Sequence, residues 1–235
     1  DEFGYSVSIS GDRAVVGAML EDAGGTNAGA AYVYERDGAG VWQEVQKLVA
    51  SDAQANDRFG NAVSISGDRL IVGAYREDAF GGGAGAAYVF ERVGAGVWVE
   101  VQKTVASDAQ ADDIFGWSVS ISGDRAVVGG QWEDAGGSDA GAAYVYERNG
   151  AGVWQEVQKL VASDAESFDE FGRSVSISGD GLVVGAWRED AGAGAGPTRR
   201  LARGARPGGR IRSVSGGALA RARAGAAPGG GRART

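Results

Sequence analysis

The side chains best equipped for chemistry in this chain are carboxylates and tryptophans. Glu-Asp pairs stand at Glu21 and Asp22, Glu77 and Asp78, Glu133 and Asp134, and Glu189 and Asp190. Paired carboxylates can gather oxygens around Ca²⁺, attract a basic partner, or cleave a glycosidic bond. Near-identical copies argue against the last role, because catalysis needs one unique constellation. The plainer alternative is solvated loop charge that keeps the chain soluble. The chain has no His and no Cys. That excludes Ser-His-Asp and Cys-His catalysis, the usual zinc site, Fe–S sites and disulfides. No catalytic residue and no cofactor are therefore expected, with Ca²⁺ the one ion in view. The glycine run at Gly81, Gly82 and Gly83 does not join a strand to a helix, so it makes no phosphate loop. Of the six tryptophans, Trp42, Trp98 and Trp154 recur at one spacing and suit a core. Trp117, Trp132 and Trp187 are not copied in every unit, which makes them the candidates for ligand contact.

The elements that position these residues follow from one period. Phe-Gly recurs at Phe3-Gly4, Phe59-Gly60, Phe115-Gly116 and Phe171-Gly172, a step of 56 residues without insertion. The units are 1–56, 57–112, 113–168 and a partial 169–196. A fixed period of this order signals a solenoid, a propeller or an array. Within the first unit, residues 5–10 alternate apolar and Ser, the period of a half-buried strand. Gly11-Asp12 predicts a type II′ hairpin turn with Gly first. Further strands are expected over 13–18, 30–36 and 41–50, joined by a Gly-rich acidic loop and a short turn. No segment sustains a helical apolar stripe. Four short antiparallel strands per unit describe a blade, so the fold class is all-β, a β-propeller of four-stranded antiparallel blades. A β-solenoid is the rival, though its coils are usually shorter. Which strand is innermost is left open. About three and a half blades are present, fewer than close a ring, so the chain is read as part of a larger propeller. Two such arcs lack the same half-blade and do not complete each other simply.

Charge marks a boundary. Every one of the 31 acids lies before residue 197, while residues 197–235 carry only arginine among the charged types, together with all 3 prolines. The acidic body would repel nucleic acid and anionic membrane. No apolar run approaches the ~18 residues of a membrane span. The basic tail, 197–235, has the composition of GC-rich coding DNA read out of frame, and disorder is expected there.

The stretch Phe3–Ala18 resembles FG-GAP repeats, Phe3-Gly4 being the FG and Gly17-Ala18 the GA. The usual Pro is replaced by Met19, Tyr75 and Trp187, and the third unit has Gly130-Gln131 instead of Ala-Pro. The resemblance covers residues 1–196. It implies an integrin-α-like propeller, commonly seven-bladed, in secreted or cell-surface proteins that bind other molecules. Many such repeats carry a calcium loop of the form Asp-x-Asp-x-Asp-Gly between the first two strands. Here only Gly-Asp joins them, which cannot wrap an ion. The expected function is a non-enzymatic binding or adhesion scaffold that presents loops to a protein or glycan. The alternative is an accessory propeller domain of a larger secreted enzyme.

Overall fold

A computed structural model describes residues 1–188 and, beyond them, the backbone of two short strands at 201–203 and 212–214. The described chain is all β. The first blade comprises β1 (Phe3–Ser10), β2 (Arg13–Ala18), β3 (Ala30–Arg36) and β4 (Trp42–Leu48). The second comprises β5 (Val63–Ser66), β6 (Arg69–Ala74), β7 (Ala86–Gly94) and β8 (Val97–Thr104). The third comprises β9 (Phe115–Ser122), β10 (Arg125–Gly130), β11 (Ala142–Arg148) and β12 (Trp154–Leu160). Each is an antiparallel meander with the strands in sequence order. A fourth blade starts with β13 (Ser174–Ser178) and β14 (Gly181–Gly185). The strands β15 (Leu201–Arg203) and β16 (Arg212–Val214) pair with each other, and β15 approaches β14. The rest of the basic tail lies outside the described residues.

The expected strands and turns are found. The hairpin residue Gly11 has φ +60° while Asp12 keeps a negative φ, as a type II′ turn requires. The first strands β1, β5, β9 and β13 approach one another, while the fourth strands barely meet. The sheets therefore fan outward from their first strands, and the architecture is a β-propeller.

Serine explains why the first strand can sit innermost. Ser8 Oγ accepts the Ile65 N–H at 3.1 Å and Ser10 Oγ accepts that of Gly67 at 3.0 Å. Ser64 and Ser66 do the same for Ile121 and Gly123, and Ser120 and Ser122 for Ile177 and Gly179. The apolar alternates of the same strand fill the joint between blades. In the first joint Val15, Ala31 and Val33 of one blade meet Phe59, Val63, Ile65, Tyr88 and Trp98 of the next. The second and third joints use corresponding positions. Outside this core, Arg92 clamps Glu35 and Arg148 clamps Glu91, each through two hydrogen bonds.

Removing one rung should cost measurable stability. Ser64→Ala leaves the Ile121 N–H without its acceptor and is expected to destabilise by about 1–3 kcal/mol. Ser176→Ala removes an exposed hydroxyl and should be neutral. Urea denaturation of the two variants checks the contrast. Equal midpoints would show that the serine rungs carry no weight.

Candidate functional site

The Phe-Gly segment of each unit lies at one end of its blade, and a backbone irregularity there sets the surface. In β9 the pairing with β10 slips between Ser118 and Phe115. Gly116 supplies the bulge with φ +87°. Such a bulge re-aims side chains. Phe115 turns inward, fully buried against Tyr144 and Tyr146. Trp117 is left beside the loops that follow the second strands. The first blade shows the same slip between Phe3 and Ser6.

The residues after Phe-Gly and after the second strand therefore share one end of the propeller. Two of these positions are among those at which the units disagree. The first is Tyr5, Asn61, Trp117 and Arg173, and the second is Met19, Tyr75, Gln131 and Trp187. Each differs in all four units, as does the loop position Asn27, Gly83, Asp139 and Ala195, and the turn position Asp37, Val93 and Asn149 varies as well.

Several of them stack across blades. Tyr75 meets Trp117 edge-on at 5.0 Å between ring centroids. The Arg173 guanidinium lies 5.8 Å from the Trp117 centroid and 4.8 Å from that of Trp187. Arg173 is fixed from below by Glu170 at 2.7 Å and by Gln131 Oε1 at 3.3 Å. The result is an aromatic–cation–aromatic surface over the second, third and fourth blades. Beside it lies an open pocket of about 460 Å³, lined by Asn56, Tyr75, Arg76, Asp112, Ile114 and Trp132. Ile114 holds φ +49°, a left-handed conformation that β-branched residues rarely adopt.

The three unshared tryptophans are thus neighbours in space. Trp117 and Trp187 sandwich Arg173, and Trp132 shares its pocket with Tyr75. Trp98 and Trp154 are buried in the joints. Arg76 and Arg173 were not singled out from sequence, and Tyr75 stood out only as a replacement for the usual Pro. Comparing the units column by column would have found Tyr75 and Arg173.

The Glu-Asp pairs are built into the frame. Glu77 and Glu133 are buried, and their Oε1 atoms take Lys103 at 2.8 Å and Lys159 at 2.6 Å. Each leaves Oε2 buried without a hydrogen-bond partner. Glu21 takes Lys47 at 2.5 Å. Asp22, Asp78 and Asp134 close their own loops by accepting the N–H groups of Asn27, Gly83 and Asp139. Solvated loop charge is thus the wrong description of Glu77 and Glu133, because the lysines above them draw them inward. Glu189 and Asp190 lie outside the described residues. The connectors add Asp52 and Asp108, which accept Tyr88 and Tyr144 hydroxyls and pair with Lys103 and Lys159. Burial disfavours the charge on Lys159, but Asp108 and Glu133 outweigh it and hold the ammonium above its ordinary range.

Two further acids are buried beside these loops. Burial pushes Asp57 and Asp113 up to about 6, with repulsion from nearby carboxylates added, although backbone N–H groups of Gln54 and Gln110 bind them. Among the described residues no three carboxylates converge to hold a metal ion. The Gly-Asp hairpins do not fit calcium either. Asp12 is taken by Arg36, Asp68 by Arg13, Asp124 by Arg69 and Asp180 by Arg125. Among the described residues no helix is long and apolar enough to cross a membrane.

Comparison with known proteins places this geometry. The model of the family described as FG-GAP repeat matches residues 1–34, 42–90, 98–146 and 154–197. Its internal segments start at the tryptophan of a fourth strand and run through three strands of the next blade, so the matched unit straddles the joint. Among solved structures, the chain is similar in fold to Sqt1 from Chaetomium thermophilum, with a TM-score of 0.50 and 12% identity. That similarity covers 85% of this chain and 43% of the other, so this chain spans under half of its length. No curated protein matches the chain.

Proposed function

Because this chain belongs to the FG-GAP repeat family, whose propellers are typically non-catalytic, we propose that it is a binding scaffold that works without catalysis. It presents its loop end to a protein or glycan ligand, outside the cell or at its surface. The observation that carries this reading is that unit-to-unit differences gather in one aromatic and cationic stack. Two positions that differ in all four units supply Tyr75, Trp117, Arg173 and Trp187, and these four stack together at one end of the propeller.

The chemistry suits recognition by faces and edges. Rigid aromatic rings give contact area at low entropic cost, and arginine adds directional donors. Among the described residues, the paired acids are tied to lysines or to their own loops. FG-GAP repeats are typically extracellular, which supports the proposed location.

A glycan array and a display library of extracellular protein fragments, both probed with the full chain, test the reading. Trp117→Ala with Trp187→Ala is expected to weaken any hit by ten-fold or more, since truncating a central aromatic commonly costs about 2 kcal/mol. Val101→Ala, an exposed residue on β8, is the control and should leave binding unchanged. Hits that bind the double variant as tightly as the parent would move the site elsewhere. Hydrolysis of a bound glycan would overturn the non-catalytic reading.

A further inference from the structure

The open pocket beside the loops of the second and third blades is lined by side chains that the frame does not use. It measures about 460 Å³, inside the ~300–1,000 Å³ usual for small-molecule sites. Among the described residues every arginine pairs with a carboxylate except Arg58 and Arg76. The Arg76 guanidinium lines this pocket, and its one polar or ring partner among the described residues is Tyr75, 5.7 Å away at the ring centroid. Asp112 takes no cation and no N–H among the described residues, whereas Asp108 and Asp113 on either side are both engaged. Ile114 adds a buried apolar wall. Its counterparts in the other units are Glu2, Arg58 and Glu170. A β-branched residue is costly at its φ of +49°, and the polar counterparts show that the frame does not require one. The place of Tyr75 and Arg76 is held by Met19 and Leu20 in the first unit and by Gln131 and Trp132 in the third, while in the fourth Arg188 is tied to Glu170. Among the described units only the second thus sets an uncommitted guanidinium beside an aromatic ring.

We propose that this pocket binds one neutral pyranose residue of a glycan. The inference rests on the reading that the loop end binds a ligand, and it names the class. The groups lining the pocket have opposite signs. An anion would satisfy Arg76 but face Asp78 and Asp112, and a cation would satisfy the acids but face Arg76. Sugar hydroxyls resolve this, because each can donate to a carboxylate and accept from a guanidinium. Asp112 accepts, Arg76 donates, and the Asn56 amide does both. The apolar C–H face of a pyranose needs flat apolar cover, which the Tyr75 and Trp132 rings supply. The acidic body strengthens the preference for an uncharged ligand, since it repels anionic chains. The pocket is also pre-organised. Asp78 accepts the Gly83 N–H at 2.8 Å, and the carbonyls of Gly82 and Gly83 accept the N–H groups of Asp112 and Ile114 at 2.9 and 3.0 Å. The connector that carries Asp112 is thus tied to the loop that follows Arg76, which lowers the entropy lost on binding.

Ligand-observed NMR on the full chain tests this. The probes are the methyl glycosides of glucose, galactose, mannose, fucose and N-acetylglucosamine, with methyl glucuronide and N-acetylneuraminic acid as anionic comparisons. At least one neutral glycoside should receive saturation from the protein and bind in the millimolar range or tighter. Arg76→Leu and Asp112→Asn copy the first unit, which has Leu20 and Asn56 at these places, so both should fold, which their melting temperatures check. Each should weaken binding by about ten-fold or more, because each removes a charged hydrogen-bonding partner. Val101→Ala should leave it unchanged. No saturation of any neutral glycoside overturns the inference. So does a preference for the acidic sugars, or binding that either pocket variant leaves intact. None of these results touches the stack as a binding surface, which fails instead when larger hits ignore Trp117→Ala with Trp187→Ala.

Discussion

Gly116→Ala should unfold the propeller or nearly so, at a cost of about 4 kcal/mol or more. A Cβ at this position would lie 2.2 Å from the Ala86 carbonyl oxygen, with φ fixed at +87°. Neither partner can give way, because both atoms belong to backbone. The strained conformation alone is worth about 1–3 kcal/mol for a residue with a side chain, and the overlap adds to it. Gly129 faces the same wall, its Cβ position falling 1.9 Å from the Gly172 carbonyl oxygen. Gly4→Ala is the internal control. It has φ +88° but nothing within 4 Å, because no described blade packs against it. It should bear only the dihedral part. Thermal denaturation of both variants checks this, and similar melting temperatures would refute the view that the Phe-Gly glycine is required by close approach between blades.

The second large effect is on pH. Asp57 and Asp113 are buried, and burial lifts both from 3.8 to about 6 in the folded chain. A raised carboxyl favours the folded state most when protonated. Its contribution is complete below the unfolded value near 3.8 and is lost as pH climbs towards 6. The loss is about 3 kcal/mol for each group. The paired acids act in the opposite sense. Asp52 and Asp108 are lowered: burial opposes this, but Lys103 with Tyr88, and Lys159 with Tyr144, outweigh it. Their contribution holds above the unfolded value and fails only as pH falls through their folded values, below 3.8. Between about pH 4.5 and 7 the raised pair dominates. The protein should therefore melt at a higher temperature at pH 5 than at pH 7.5. Asp113→Asn keeps an acceptor for the Gln110 N–H, so it should raise the melting temperature at pH 7.5 and flatten the pH dependence. A stability profile that rises steadily from pH 5 to 7.5 would contradict the burial of these two groups.

The blade was legible because its signals are local. Alternation, the Gly-Asp hairpin and the unbroken period gave the four strands and their bounds within a few residues. The place of the first strand was not legible. Ser alternating with Val and Ile reads the same whether serine faces water or accepts an N–H from a strand one unit away. Burial of Asp57 and Asp113 was hidden for a related reason, since the neighbours that cover them come from elsewhere in the period. The acid pairs looked solvated because the lysines that bind Glu77 and Glu133 lie 26 residues further on. The ligand candidates were half visible. Unshared tryptophans stood out by type, whereas Tyr75 and Arg173 needed the fold to show that they meet Trp117.

The three joints are made from the same parts, so nothing in their chemistry tells one blade from another. The first blade's outgoing face would fit the third blade as well as the second. The tether opposes it: the span from Leu48 to Val63 delivers the chain to the adjoining sheet, so that face is met first. Assembly order in this molecule is therefore favoured by the short connectors, because closing a shorter loop costs less entropy. Lengthening one connector with a flexible insert would allow blades to be skipped, and misassembled isomers with native-like strands would then compete during refolding.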